Sequence, residues 1–443
     1  MGNQRFFSWN AMDDEEVVWS GVNGQKIEKA ESGYYEFMFE ITREGDSTLV
    51  FVAKDAAGNV ATKSVVVRHD MVSPAVTSTV PSKEIMVDEG VASVLVSWIV
   101  VDADKVSASI DGVTTNAVGN LHSATVQFAG SDPKIVPIMV FDRCGNGTYR
   151  EVTLVRRKAG IAAGGDFGLY LSGGGVVTGW GSIVMPTFTS KVKAIAAGDV
   201  FGAALLDDGT VTTWGASGSI TNLPAGVSSR GGGVAKIFAG GNNVAAIMED
   251  SSIVIWKHGS IESITTGMPS GIKAVTLAVG TGYSTNADFC VAIDKSNVAR
   301  PWSLDASVAL PSGAGLTTGV KSVHATHDQV VGVKTNGEIF VWGNHQSNTP
   351  YLPMPTGLSG VVAVQSGIFH SLVLKGDGTL AAWGFDNWKQ SQIPVPKSGP
   401  LNDVVAIAVG YRTNFALRSN GKVFGWGADS YKQLPVPPDI VSP

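Results

Sequence analysis

One tryptophan recurs through this chain, and its spacing constrains the fold more than any other feature. Trp180, Trp214, Trp256, Trp302, Trp342, Trp383 and Trp426 are separated by 34, 42, 46, 40, 41 and 43 residues. The text around most of them is shared. Ala197-Gly198 leads through Phe201–Leu206, Asp208-Gly209 and Val211 to Trp214-Gly215. Gly367 leads in the same way through Asp377-Gly378 to Trp383-Gly384, and Gly410 through Asn420-Gly421 to Trp426-Gly427. Self-similarity at a period of about 40 residues marks a repeat architecture.

Each unit reads as four short strands. The first is a small apolar run such as Val192–Ala197, and the second is Ala203–Leu206. Asp-Gly or Asn-Gly then makes a hairpin turn, where Gly takes positive φ without strain. The third strand ends in Trp-Gly. The fourth is expected at short Pro-bearing stretches such as Gln392-Ile393-Pro394-Val395, since proline suits an edge. One such sheet cannot bury both faces, whereas seven packed radially cover one another. The tryptophans are expected between blades. Asp250-Ser251-Ser252 replaces the glycine turn, and Arg300-Pro301-Trp302-Ser303 lacks the glycine after Trp, so those two units are expected to be the least regular.

These motifs resemble the regulator-of-chromosome-condensation repeat family over roughly residues 159–437. The bacterial short-repeat branch is nearest: its pattern of Trp-Gly followed by Gln and Val/Ile-Pro stands here as Trp383-Gly384…Gln392-Ile393-Pro394. The streptomycete β-lactamase inhibitor protein looks similar. The resemblance implies a seven-bladed β-propeller used for protein binding.

Residues 1–158 carry a second, weaker duplication. Thr48–Asp55 runs through Asp55-Ala56-Ala57-Gly58-Asn59 into Val60–Arg68, and Ile135–Phe141 runs through Asp142-Arg143-Cys144-Gly145-Asn146 into Thr148–Arg156. The 87-residue interval between Asp55 and Asp142 is about one sandwich domain. Val94, Val96, Trp98 and Val100 alternate as in a half-buried strand. The pattern resembles bacterial immunoglobulin-like modules. The expected architecture is all-β: two immunoglobulin-like β-sandwiches at 1–70 (short, hence incomplete or leaning on a neighbour) and 71–157, then a seven-bladed β-propeller at 158–443.

Charge excludes one class of partner. Residues 159–443 hold 17 Lys+Arg and 17 Asp+Glu, so the whole net charge of −6 falls in residues 1–158. Neither part has the basic excess that a nucleic-acid backbone requires. No stretch reaches the ~20 apolar residues of a membrane span. The N-terminus lacks a signal peptide's apolar run, which implies synthesis in a cytosol. Cys144 and Cys290 are expected to be buried free thiols.

Other constellations have plain readings. The Asp-x-x-Gly-Asn turns offer too few oxygens for calcium. His324-Ala325-Thr326-His327 lacks a third ligand. Ser172–Gly175 and Arg230–Gly233 lack the Lys-Ser/Thr ending of a phosphate loop and read as a blade turn and an interblade loop. Arg150, Arg156, Arg157 and Lys158 read as a solvated linker, and Met12–Glu16 as a solvated face. No nucleophile–base set, metal site or cofactor is expected, and catalysis is not.

Strand direction locates the binding surface. The loops after first strands and after Trp-Gly lie on one face. That face should present Trp388, Tyr431 and His345 from Trp-Gly loops, and Tyr283, Tyr411 and Arg412 from the others, which are residue types enriched at interface hot spots. Phe369, on the same loops, reads as tucked into its blade. The expected partner is a protein or surface glycan, with the N-terminal modules holding other virion proteins. Sandwiches plus a propeller resemble bacteriophage surface proteins of tail, baseplate or capsid, made in the host cytoplasm and displayed on the particle. A soluble inhibitor or scaffold of bacterial origin is the alternative.

Overall fold

A computed structural model describes residues 4–11, 17–30, 34–40, 45–70, 72–78, 84–102, 106–131, 133–215, 218–220, 222–225, 227, 233–281, 288–305, 310, 313–326, 329–343, 351–396, 399–430, 432–434 and 436. Among the described residues every regular element is a strand, and no helix is long and apolar enough to cross a membrane. The chain forms two compact units. One comprises residues 1–79, 93–127 and 135–152; the other comprises 80–92, 128–134 and 153–443.

The first unit opens with β1 (Gln4–Trp9), β2 (Val17–Val22), β3 (Gln25–Lys26), β4 (Tyr35–Glu40), β5 (Gly45–Asp55) and β6 (Val60–His69). They make two sheets, β1-β4 and β3-β2-β5-β6. Trp9 bridges them, edge-on to Phe51 at 4.9 Å between ring centroids and donating Nε1–H to Ser20 Oγ at 3.0 Å. Then follow β7 (Ala75–Ser78), β8 (Glu84–Val87), β9 (Ser93–Val101), β10 (Ser107–Ile110), β11 (Val113–Thr114), β12 (Asn116–Val118), β13 (Leu121–Gln127), β14 (Lys134–Phe141) and β15 (Gly147–Arg156), of which β8 and the end of β15 from Thr153 are counted with the second unit. Their sheets run β12-β13-β9-β7 and β11-β10-β14-β15-β8. Alternation works as read: Val96, Trp98 and Val100 are buried, while Leu95 and Ile99 face out.

The duplicated turns close on themselves. Asp55 accepts Asn59 N–H at 2.7 Å and Asn59 Nδ2–H at 2.6 Å, and Asp142 accepts the same pair from Asn146 at 2.9 and 2.7 Å. Asn thus occupies both carboxylate oxygens, and the acid serves the turn.

Among the described residues of the second unit, seven antiparallel sheets lie between residues 160 and 427. Blade 1 holds β16 (Gly160–Ala163), β17 (Phe167–Leu171) and β18 (Val177–Gly181). Blade 2 holds β19 (Val192–Ala197), β20 (Phe201–Leu206), β21 (Val211–Gly215) and β22 (Gly218–Ile220). Blade 3 holds β23 (Val234–Gly240), β24 (Asn243–Met248) and β25 (Ile253–Lys257), and blade 4 holds β26 (Thr276–Thr281), β27 (Asp288–Ile293) and β28 (Ala299–Ser303). Blade 5 holds β29 (Val320–Thr326), β30 (Gln329–Lys334) and β31 (Ile339–Gly343). Blade 6 holds β32 (Tyr351–Leu352), β33 (Val361–Ser366), β34 (His370–Lys375) and β35 (Leu380–Phe385). Blade 7 holds β36 (Val404–Val409), β37 (Thr413–Arg418) and β38 (Val423–Gly427). The first strand of each blade touches that of the next, and β36 touches β16, so the ring closes into a β-propeller.

The tryptophans make the interblade core. Trp214 of blade 2 packs with Phe167, Leu169 and Leu171 of blade 1, and Trp256 of blade 3 with Phe201, Ala203 and Leu205 of blade 2. Second strands, covered on both faces, are almost wholly buried. The hairpin chemistry is also as read. Gly378 takes φ +80°, and Asp377 Oδ1 accepts the N–H of Thr379 at 3.0 Å.

Four expectations need correcting. First, Gln392–Val395 forms no ladder; among the described residues only β22 and β32 add a fourth strand, and β32 precedes its blade. Pro394 and Pro396 lack donors, and loop side chains claim the neighbouring polar groups. Second, blades 3 and 4 keep full three-stranded ladders: Ser251 takes φ +69° in place of the turn glycine with Asp250 capping the turn, and Ser303 pairs with Phe289 although no glycine follows Trp302. Third, Cys144 is half-buried, although Cys290 is fully buried. Fourth, Arg157 is no linker residue. It is 1% exposed, with Nε 3.1 Å from Asp88 and Nη2 2.5 Å from Asp207, and it also donates to Val192 O. Arg156 bonds the carbonyls of Asp88, Val91 and Phe128. Arg157 is thus a buried guanidinium and Arg156 a half-buried one, both hydrogen-bonded to loops of the second unit.

Candidate functional site

First strands end at the axis, where residues from all seven blades line a channel of about 380 Å³. Its mouth is drawn together by backbone hydrogen bonds between blades. Ile368 N–H donates to Tyr411 O (3.3 Å), Tyr411 N–H to Gly165 O (3.2 Å), Gly165 N–H to Asp199 O (2.8 Å) and Asp199 N–H to Gly241 O (2.8 Å). Glycine is required at Gly410, where a Cβ would stand 2.4 Å from Gly164 O.

On that face the Trp-Gly loop of blade 6 meets the first loop of blade 7. The Arg412 guanidinium carbon lies 4.5 Å from the Trp388 ring centroid, a cation–π pair on exposed loops. Phe385 lies 5.7 Å from Trp388, and Phe369 packs edge-on to Phe385 at 6.1 Å. Trp388 is 38% exposed, Arg412 is exposed, and Phe369 is half-buried as expected.

The Trp388 loop is held from beneath. Asp386 accepts Ser391 N–H at 2.9 Å and Gln392 Nε2–H at 2.6 Å, and Ser391 Oγ donates to Phe385 O at 2.9 Å. Lys389 sits at φ +60°, which turns the chain so that Gln390 is buried. Gln390 O accepts Asn414 Nδ2–H at 2.8 Å and Trp426 Nε1–H at 3.2 Å, and Asn414 Oδ1 is 3.0 Å from His370 Nε2. Burial lowers the His370 pKa to about 4, against the opposing pull of Asn414 and Asp386. It is therefore a neutral structural imidazole at ordinary pH.

Two acids flank the patch. Burial raises the Asp166 carboxyl, and Arg412 opposes that shift. Burial, then Asp199, raises the Tyr411 hydroxyl well above its ordinary value. Tyr411 is half-buried with its ring over Gly165 and lines the channel, exposing only part of its ring.

The structure thus brings Trp388, Arg412 and Tyr411 to one sector of one face. Tyr283, His345, Tyr431, His327 and Met12–Glu16 lie outside the described residues. Asp386, Gln390, His370 and Asn414 were not singled out in the sequence. One signal was available: Trp383-Gly-Phe-Asp-Asn-Trp-Lys-Gln aligns with Trp426-Gly-Ala-Asp-Ser-Tyr-Lys-Gln. In the second copy Asp429 Oδ1 accepts Leu434 N–H at 2.7 Å, Lys432 takes φ +59° and Gln433 is buried. Among the described residues no cluster of three or more His, Cys, Asp or Glu could hold a metal ion.

Residues 404–433, covering blade 7 and its Trp-Gly loop, match the family model of the regulator of chromosome condensation (RCC1) repeat. Solved structures with a similar fold include Prp20p from Saccharomyces cerevisiae, studied with its binding to Gsp1p and histones (15% identity, TM-score 0.42, covering 54% of this chain and 73% of that one). The ectodomain of the Physcomitrella patens receptor kinase CR4 is similar at 20% identity and TM-score 0.44, over 61% of this chain and 72% of that one. Human WBSCR16 is similar at 15% identity and TM-score 0.42, over 58% and 81%.

Proposed function

We propose that this protein is a non-catalytic binding component of a bacteriophage particle, whose propeller face contacts a protein or surface glycan through Trp388, Arg412 and their neighbours. The observation that carries the binding reading is the exposed cation–π pair, fixed in place by a buried hydrogen-bonded support. A rigid aromatic with a cation stacked on it loses little side-chain entropy on docking, which is what a hot spot needs. The working division is 1–70, 71–157 and 158–443, with the first two as immunoglobulin-like modules that anchor to other particle proteins. The particle setting is supported by the combination of modules and propeller. Mass spectrometry of purified phage particles tests it: the chain should be recovered in stoichiometric amount, and its absence would remove the virion reading. Binding of the purified chain to host cells, compared with Trp388→Ala, tests the face.

A further inference from the structure

The seven blades repeat one layout around the axis, and two adjacent blades break it with polar side chains. Register places Ala162, Ala196, Phe238, Ala278, His324, Gln365 and Ala408 at one level of the ring, each opposite the residue that follows the strand partner of its blade Trp. Five are apolar, and the exceptions are His324 on blade 5 and Gln365 on blade 6. Both make the same bond to the first strand of the next blade. His324 Nδ1 accepts Ser366 N–H at 3.1 Å, and Gln365 Oε1 accepts Val409 N–H at 3.2 Å.

Those bonds fix what each side chain offers with its remaining polar atom. When one nitrogen of a neutral imidazole accepts, the other carries the proton. Burial keeps His324 neutral, lowering its pKa to about 4, so Nε2 is an N–H donor. Gln365, with Oε1 taken, offers its Nε2–H2 group in the same way. Neither group has a partner among the described residues, and both side chains line the channel of about 380 Å³. The level below is apolar, and Ile161, Ile195, Ile237, Leu277, Val323 and Val364 line the channel there. Charge follows the same axis. The first strands carry no acid, and Lys193, Lys236 and Lys321 stand toward their lower ends, on the side of the hairpin turns. Asp166 and Asp199 stand on the upper rim in blades 1 and 2, across the ring from His324 and Gln365.

We propose that the channel binds a small aliphatic carboxylate, whose oxygens accept N–H bonds from His324 and Gln365 while its chain lies along the aliphatic belt below. Two donors at one level and an apolar wall at the next give the head and the body of such a molecule separate places, as a few polar groups on an apolar lining do in small-ligand pockets. A cation would meet side-chain donors at that level, not acceptors. The channel lies at the axis and the Trp388 loop on the rim, so failure of either site leaves the other untouched.

The probe is hexanoate titrated into the full chain, followed by calorimetry and by the side-chain nitrogen–proton signals of His324 and Gln365. It should bind saturably, and both signals should shift along the same curve. Hexanol, which has the chain without the carboxylate, should bind at least about tenfold more weakly, the scale of hydrogen bonds to a charged group. Gln365→Glu keeps an oxygen for Val409 N–H but puts a second oxygen where the donor was. It should unfold at the same temperature as the wild type and bind hexanoate at least about tenfold more weakly. Lys321→Glu, altered at an exposed position, should bind several-fold more weakly with its unfolding midpoint unmoved. Absence of saturable binding, hexanol binding as tightly as hexanoate, full affinity in the Gln365→Glu chain, or binding that leaves the His324 and Gln365 signals in place would each overturn the proposal. The wild-type signals and the Lys321→Glu chain decide the matter even where Gln365→Glu fails to fold.

Discussion

Trp180 of blade 1 stands edge-on to Phe415 of blade 7, their ring centroids 5.2 Å apart and their planes at 89°. Blade 1 is built wholly from residues 160–181 and blade 7 from 404–427, so among the described residues no strand is exchanged between them. Side-chain packing of Trp180, Tyr170, Ala408, Phe415 and Leu417 closes the ring, together with the Tyr411–Gly165 hydrogen bond. Trp180→Ala should therefore cost about 3–5 kcal/mol, the usual loss for a buried aromatic. Urea unfolding of the propeller checks this.

Trp388→Ala and Arg412→Ala should behave differently. Each removes one half of an exposed cation–π pair worth about 0.5–1 kcal/mol, so unfolding midpoints should barely move. Binding to host cells or particle proteins should fall roughly tenfold or more, as for a hot-spot residue. Parallel loss of stability and binding in the two variants would assign the rings to the core.

Gly410→Ala places a methyl group 2.4 Å from the Gly164 carbonyl oxygen, and backbone cannot yield there as a flexible side chain would. A destabilisation above ~2 kcal/mol is expected, in the range of core overpacking and backbone clashes. Gly399→Ala is a control for strain alone, because Gly399 has φ +100° but open space around its Cβ position.

His370 makes stability depend on pH. Its folded pKa is about 4 against 6.5 for the free side chain, because burial disfavours the cation. Between those values the unfolded chain binds more protons than the folded one, so stability is full above pH 6.5 and falls as pH drops towards 4. The loss approaches about 3 kcal/mol for this fully buried group. His324, lowered to about 4 by burial in the channel wall, acts in the same direction. Thermal midpoints from pH 7 to pH 4 should fall less steeply for His370→Gln than for the wild type.

Arg157→Ala leaves Asp88 and Asp207 facing each other's charge without the guanidinium and should cost about 3–5 kcal/mol. Lys191 remains beside Asp88, whose carboxyl is raised by burial but held below its ordinary value by Lys191 and Arg157. Restoring part of the loss with Asp207→Asn in the Arg157→Ala background would confirm the cause, again by urea unfolding.

What could be read in advance was local or periodic. Trp, Gly and Asp-Gly recur at fixed places, so the all-β repeat and the face of the Trp388 and Arg412 loops follow from strand direction. Arg157 could not be read that way. It looks like its neighbours Arg156 and Lys158, and its carboxylates stand 69 and 50 residues away. Gln392–Val395 misled because a proline-bearing apolar run looks like an edge strand, while the bonds from Asp386 and Ser391 that hold it otherwise belong to side chains.

A ring whose two end blades, among the described residues, meet by packing and share no strand has a consequence for synthesis. Leu169 and Leu171 gain their blade 2 cover early, but the flank of blade 1 carrying Tyr170 and Trp180 stays wet until Phe415 leaves the ribosome. At roughly 5–20 residues per second that wait lasts tens of seconds. Throughout it the growing solenoid carries an adhesive leading edge, so nascent chains crowded on one message are at risk of joining head to tail into open spirals. Slower translation or higher expression should enrich such oligomers without any change in the finished toroid.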